Sequence, residues 1–205
     1  MYRLFNIKHK IIIGFLCLIF TGCSYTPYRY SFSLVEPQSE TMKYEDNNVQ
    51  FRFVPSPENI WVEIKNKTDN DVYLVRDKAE YIGPSGESYR VLYGYDFAYE
   101  MIYFTQDNDL YVTPMRIDPS SEITGYVWKN NWPDFCIGQD RFSIASYQID
   151  YLMEPFFPRY SFEGRGEDLK DSTFNLILPI DFDGYLTHYA FTFLIKDAEQ
   201  DKVDL

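Results

Sequence analysis

Residues 173–196 read TFNLILPIDFDGYLTHYAFTFLIK, and this stretch decides the fold class. Phe174, Leu176, Leu178 and Ile180 share one face of an extended chain, and Tyr189, Phe191, Phe193 and Ile195 alternate in the same way. An apolar side chain at every second position marks a strand with one face buried. Between the two runs, Asp181-Phe182-Asp183-Gly184 reads as a turn, since Asp and Gly tolerate tight backbone geometry. The stretch therefore predicts a terminal β-hairpin. Pro179 has no amide hydrogen to donate to a ladder, so its strand is expected at an edge or an end.

Working back toward the N-terminus, the same period recurs in short runs. Val49, Phe51 and Phe53 alternate with Gln50 and Arg52, and Ile60, Val62 and Ile64 follow after the Pro55–Asn59 break. Asn66-Lys67-Thr68-Asp69-Asn70-Asp71 is a turn by composition. Val72–Arg76, Ala79–Ile82, Glu87–Tyr93, Leu110–Val112 and Ile123–Trp128 complete a cadence of roughly 8–12 residues per strand, which predicts an antiparallel β-sandwich or barrel with short or no helices. Residues 96–104 suit a buried strand or a short helix equally. Residues 129–140 read as a loop in which Trp132 and Phe135 cover an end of the core, and 164–172 as an exposed loop. The expected boundaries are a tether over 23–30, a β domain over 31–196 and an acidic tail over 197–205.

The first 22 residues have another character. Arg3, Lys8 and Lys10 precede the apolar block Ile11–Phe20. A helix of ten residues spans roughly 15 Å, half of a ~30 Å hydrocarbon core, so the block suits export rather than permanent spanning. The block ends in Phe20-Thr21-Gly22-Cys23, which resembles the lipobox of bacterial lipoproteins; Phe20 stands where that family most often has Leu. The resemblance implies cleavage between Gly22 and Cys23, a diacylglyceryl group on the Cys23 thiol and often a further acyl chain (palmitate or similar) on its amino group. Membrane attachment through Cys23 is thus expected, in the cell envelope. Ser24 is not the Asp that retains such proteins at an inner membrane, which favours the outer membrane facing the periplasm in a Gram-negative host.

Composition narrows the chemistry. The net charge of −12 becomes −15 once the three leader cations are removed, which opposes nucleic-acid binding. Loss of the leader leaves 183 of 205 residues, sufficient for one domain. With Cys17 removed and Cys23 lipidated, only Cys136 remains, so no intramolecular disulfide forms. His188 is the one histidine outside the leader, and no G-x-S-x-G, Ser-x-x-Lys, G-x-G-x-x-G or Walker pattern accompanies it. Asp69–Asp71, Asp107–Asp109 and Asp181–Gly184 offer hard oxygens but no complete calcium loop, and they read as turns. No metal and no cofactor is expected.

A second likeness rests on IWVEIKNKTDNDVYLV, YIGPSGESYRVL and FNLILPIDFDGYLTHYAFTFLI. These segments resemble a group of uncharacterised bacterial lipoproteins, and the likeness implies an immunoglobulin-like β domain with no activity attached. The leading expectation is a membrane-anchored binding, assembly or envelope-structural module with an envelope protein as partner and no identified small-molecule ligand. One rival is a carbohydrate-active or other hydrolase using loop carboxylates and aromatics such as Trp128, Trp132 and Asp134. A ligand-holding barrel with an apolar cavity is another.

Overall fold

The computed structural model describes residues 26–97, 100, 113–129 and 154–201. These are mainly β and antiparallel. Twelve strands run in chain order: β1 (Tyr28–Glu36), β2 (Gln38–Ser39), β3 (Lys43–Glu45), β4 (Val49–Pro55), β5 (Ile60–Asn66), β6 (Val72–Leu74), β7 (Glu80–Ile82), β8 (Ser88–Gly94), β9 (Met115–Ile117), β10 (Glu122–Lys129), β11 (Thr173–Phe182) and β12 (Tyr185–Gln200). Short 3-10 turns occur at Arg76–Lys78 and Gly166–Leu169. A helical turn begins after β8, where the Glu100 amide donates to the Asp96 carbonyl.

Ten strands form one continuous path, β2-β1-β12-β11-β7-β8-β10-β5-β4-β3, with β6 paired to β11 and β9 to β6. The result is a nearly closed, barrel-like sheet rather than the clear immunoglobulin-like sandwich expected. The physical reason is the β7–β8 hairpin. β7 pairs with β11 and β8 pairs with β10, so hydrogen bonds run unbroken from one face of the molecule to the other. The path ends at β2 and β3, which Glu40–Met42 joins across the remaining seam. Both end strands are very short, which blunts them as templates for further pairing.

The predicted hairpin is β11–β12, in register from Thr173↔Leu194 to Phe182↔Tyr185. Asp183 and Gly184 form its two-residue turn, both at positive φ, with the Gly184 amide bonded to Asp181 Oδ1. Pro179 lies within the sheet, not at its edge. Two short strands share that side of β11: β7 covers Asn175–Ile177 and β6 covers Ile180–Asp181. Pro179 sits at the junction, where its carbonyl accepts from the Val75 amide and no donor is needed.

Phe51 and Phe53 of β4 meet Phe191 and Phe193 of β12 across the interior, with Phe53–Phe191 centroids 4.6 Å apart and Phe53–Phe193 5.3 Å apart. Val62, Ile64, Leu176, Leu178 and Ile180 complete the same fully buried core. Among the described residues, these side chains fill the middle of the sheet as a packed core.

β12 runs on to Gln200, into the stretch expected to be an acidic tail, and β1 begins inside the stretch expected to be tether. The two pair from Tyr28↔Gln200 onward. One extra residue of β12, Lys196, interrupts the register between Ser31↔Asp197 and Phe32↔Ile195. Such a bulge shifts the alternation by one. Ala198 is therefore buried where the earlier phase would have placed Asp197.

Candidate functional site

The start of β1 is clasped between the end of β12 and residues 154–172. The Tyr28 amide donates to the Arg159 carbonyl at 2.8 Å, the Ser161 amide to the Thr26 carbonyl at 3.1 Å and the Asp201 amide to the Pro27 carbonyl at 2.8 Å. Pro27 also forms a bridge with Tyr160. Entry of the chain into the domain is thus fixed on both sides by main-chain bonds.

Side chains close the clasp. The Tyr28 hydroxyl donates to Glu167 Oε2 at 2.7 Å, while Gln200 Nε2 donates to Glu167 Oε1 at 2.7 Å and to the Tyr28 hydroxyl at 3.0 Å. Tyr30 donates to the Pro158 carbonyl at 2.7 Å and stacks on Phe32. A Cβ on Gly166 would lie 2.5 Å from the Tyr30 hydroxyl, so only glycine lets the 166–169 turn approach this closely. Arg159 donates to Glu163 through Nη2 at 2.7 Å and reaches Glu58 at 3.4 Å.

The electrostatics suit a structural clasp. Burial alone would raise Glu163, but the Arg159 hydrogen bonds and charge hold its carboxyl below the usual range. The Tyr28 hydrogen bond does the same for Glu167. Tyr30 is pushed up by burial, and then by Tyr28, Glu167 and Glu163 around it. Glycosidase-type acid–base work needs two carboxyls whose environments push their pKa values apart. Here both shifted carboxyls go down.

A stacked aromatic pair projects beside the clasp. Tyr160 and Phe162 have centroids 5.5 Å apart and nearly parallel rings, and Phe162 is 65% exposed. Arg159 lies over the Tyr160 ring.

Two other places carry polar chemistry. Arg76 and Glu100, only 9% and 7% exposed, form an ion pair at 2.8 Å. The guanidinium also donates to the Tyr93 carbonyl at 3.1 Å and to the Thr113 carbonyl at 3.1 Å. Burial pushes Glu100 up, and Arg76 opposes that shift. The fully buried Asn66 donates to the carbonyls of Asn70, Ile117 and Asp118, and accepts from the Thr68 amide and hydroxyl. A cleft of about 480 Å³ opens along the seam near Phe32, Gln38, Met42 and Lys196.

Trp128 lies in β10, 4% exposed and edge-on to Phe97, on the strand face opposite the core residue Val127 rather than in a loop. Trp132, Asp134, Phe135 and Cys136 lie outside the described residues, as do Gly22, Cys23, Leu110–Val112 and the Asp107–Asp109 turn. His188 is exposed on β12. Among the described residues no group of three or more His, Cys, Asp or Glu side chains gathers to hold a metal. Asp181 and Asp183 belong to the β11–β12 turn, and Asp71 pairs with Arg116.

The clasp was hidden in the sequence. Glu167 lies in the Gly164–Ser172 stretch that reads as exposed loop, and its partners Tyr28 and Gln200 fall in the presumed tether and tail. The one local hint was Gly164-Arg165-Gly166, two glycines flanking a strand-free turn. Compared with protein-family models, curated proteins and solved structures, the chain finds no match in any of the three.

Proposed function

We propose that this chain is a lipid-anchored envelope module: a barrel-like β domain held at a bilayer by acyl chains on Cys23, after cleavage between Gly22 and Cys23. The observation that carries the reading is the lipobox-like Phe20-Thr21-Gly22-Cys23 followed so closely by Thr26, the first residue of the clasp. Membrane attachment through so short a tether requires the chain to be fixed firmly where it enters the domain. The double-sided clasp on Thr26–Tyr28 supports such a role.

One acyl chain binds a membrane marginally and two or more bind it stably. With Ser24 after the cysteine, the outer membrane facing the periplasm is the favoured site in a Gram-negative host. The filled barrel and the depressed carboxyls of the clasp favour a binding, assembly or envelope-structural role over hydrolysis, with an envelope protein as the partner sought. Intact-mass measurement on protein extracted from membranes tests the anchor. The expected result is a chain beginning at Cys23 and carrying added lipid mass, lost in Cys23→Ala. A chain with its leader intact, or without lipid, overturns the reading.

A further inference from the structure

We propose that the Tyr160–Phe162 turn is a second membrane contact, with Phe162 inserted into the interfacial layer of the bilayer that holds Cys23. The inference rests on the anchor reading and adds an orientation to it.

The argument begins with chain length. Cys23 and Thr26 are three residues apart, so even a fully extended chain places them no more than about 11 Å from each other. A lipidated Cys23 lies at the membrane surface, so the Thr26 end of the domain must lie there too. The Thr26 carbonyl accepts from the Ser161 amide, and Phe162 is the next residue. The most exposed ring among the described residues at this end therefore sits where the tether enters the fold.

The chemistry of the pair suits that position. Phe162 presents an apolar ring, and Tyr160, stacked beneath it, combines an apolar face with a hydroxyl. Aromatic side chains of this kind concentrate at the headgroup level of bilayers. The charges around them do not supply the attraction. Arg29 is paired with Asp201, Arg165 with Asp168, and Arg159 with Glu163 and Glu58; Glu167 is bonded to Tyr28 and Gln200. The contact is consequently apolar and indifferent to lipid charge.

The opposite end supplies an internal reference. Tyr185, 80% exposed, tops the β11–β12 hairpin at the far end of a sixteen-residue strand whose other end pairs with Tyr28. At ~3.3 Å per residue the two ends stand roughly 50 Å apart, well beyond the interface.

The test uses full-length protein, lipidated in a bacterial host, carrying Cys136→Ser and a nitroxide at either Phe162→Cys or Tyr185→Cys. Each protein is reconstituted in vesicles of phosphatidylethanolamine with phosphatidylglycerol, or of phosphatidylcholine alone. Collision of the label with oxygen and with a water-soluble nickel chelate is read with and without vesicles, and intact mass reports lipidation of each sample. The expected result is a label at 162 that gains oxygen contact and loses nickel contact in both vesicle types, while the label at 185 stays in water. A lipid-bearing sample whose 162 label remains as nickel-accessible as the 185 label overturns the proposal and leaves the anchor standing. Shielding at 162 that is already present without vesicles also overturns it and indicates a second copy of the chain on this turn. Absence of lipid mass defeats the anchor itself.

Discussion

The two ends of this barrel handle polar groups in opposite ways. At the end where the chain enters, Tyr28, Glu167, Gln200, Arg159 and Glu163 form a network near the surface, and its shifted carboxyls are held below their ordinary range. Toward the other end, Arg76 and Glu100 pair in the interior, and Glu100 is pushed upward by burial. Water stays close to the first network and screens it, so each bond there is modest but removable one at a time. The second is an all-or-nothing element, because removing either partner strands a buried charge.

That contrast breaks first at the buried pair. Arg76→Met or Glu100→Leu alone should cost roughly 3–5 kcal/mol in urea unfolding, whereas the double variant should recover most of the loss, because no charge is then left unpaired. Additive losses in the double variant would show that the pair contributes through bonds other than its own. Asn66→Ala comes next. It removes the buried amide from the carbonyls of Asn70, Ile117 and Asp118, of which the first keeps the Thr68 hydroxyl and the last keeps Ser121, and about 2 kcal/mol is expected by the same measurement. Wild-type stability in that variant would mean that water replaces the amide.

The smallest effect is the one that sharpens the comparison by pH. Glu163 is depressed in the folded state, so its contribution is complete above its unfolded value near 4.5 and disappears as pH falls through the folded value. Glu100 is raised, so its ionisation weakens the fold as pH rises above 4.5 through the folded value. Glu163→Gln should cost roughly 1–2 kcal/mol at neutral pH and much less at pH 3. Urea midpoints across pH 3–7 check this; a variant that loses as much at pH 3 as at pH 7 would assign the role of Glu163 to packing.

The legibility of the sequence followed the range of each interaction. The alternation of Phe174, Leu176, Leu178 and Ile180 against Tyr189, Phe191, Phe193 and Ile195 is a local property, and those runs form the β11–β12 hairpin; its turn is shorter than the Asp181–Gly184 reading, because Asp181 and Phe182 pair with Leu186 and Tyr185. The Asn66–Asp71 turn was legible as a turn, but not as the site of a buried amide serving a carbonyl 51 residues away. Pro179 carried a valid rule whose outcome changed: a missing donor requires a missing partner, and a junction between β6 and β7 provides that as well as an edge does. Strand phase failed at Lys196, because a bulge is a pairing property that depends on β1.

By itself, then, the sequence determined strands, turns, an antiparallel class and a short apolar run over Ile11–Phe20, since all of these follow from period, backbone preference and length. Only the tertiary structure decided that the sheet wraps into a nearly closed barrel, that Tyr28 meets Glu167 across 139 residues, and that Arg76 and Glu100 share one buried site. Alternation is identical in a sandwich and in a barrel. What separates them is which strands hydrogen-bond across long separations, and no local pattern encodes that choice.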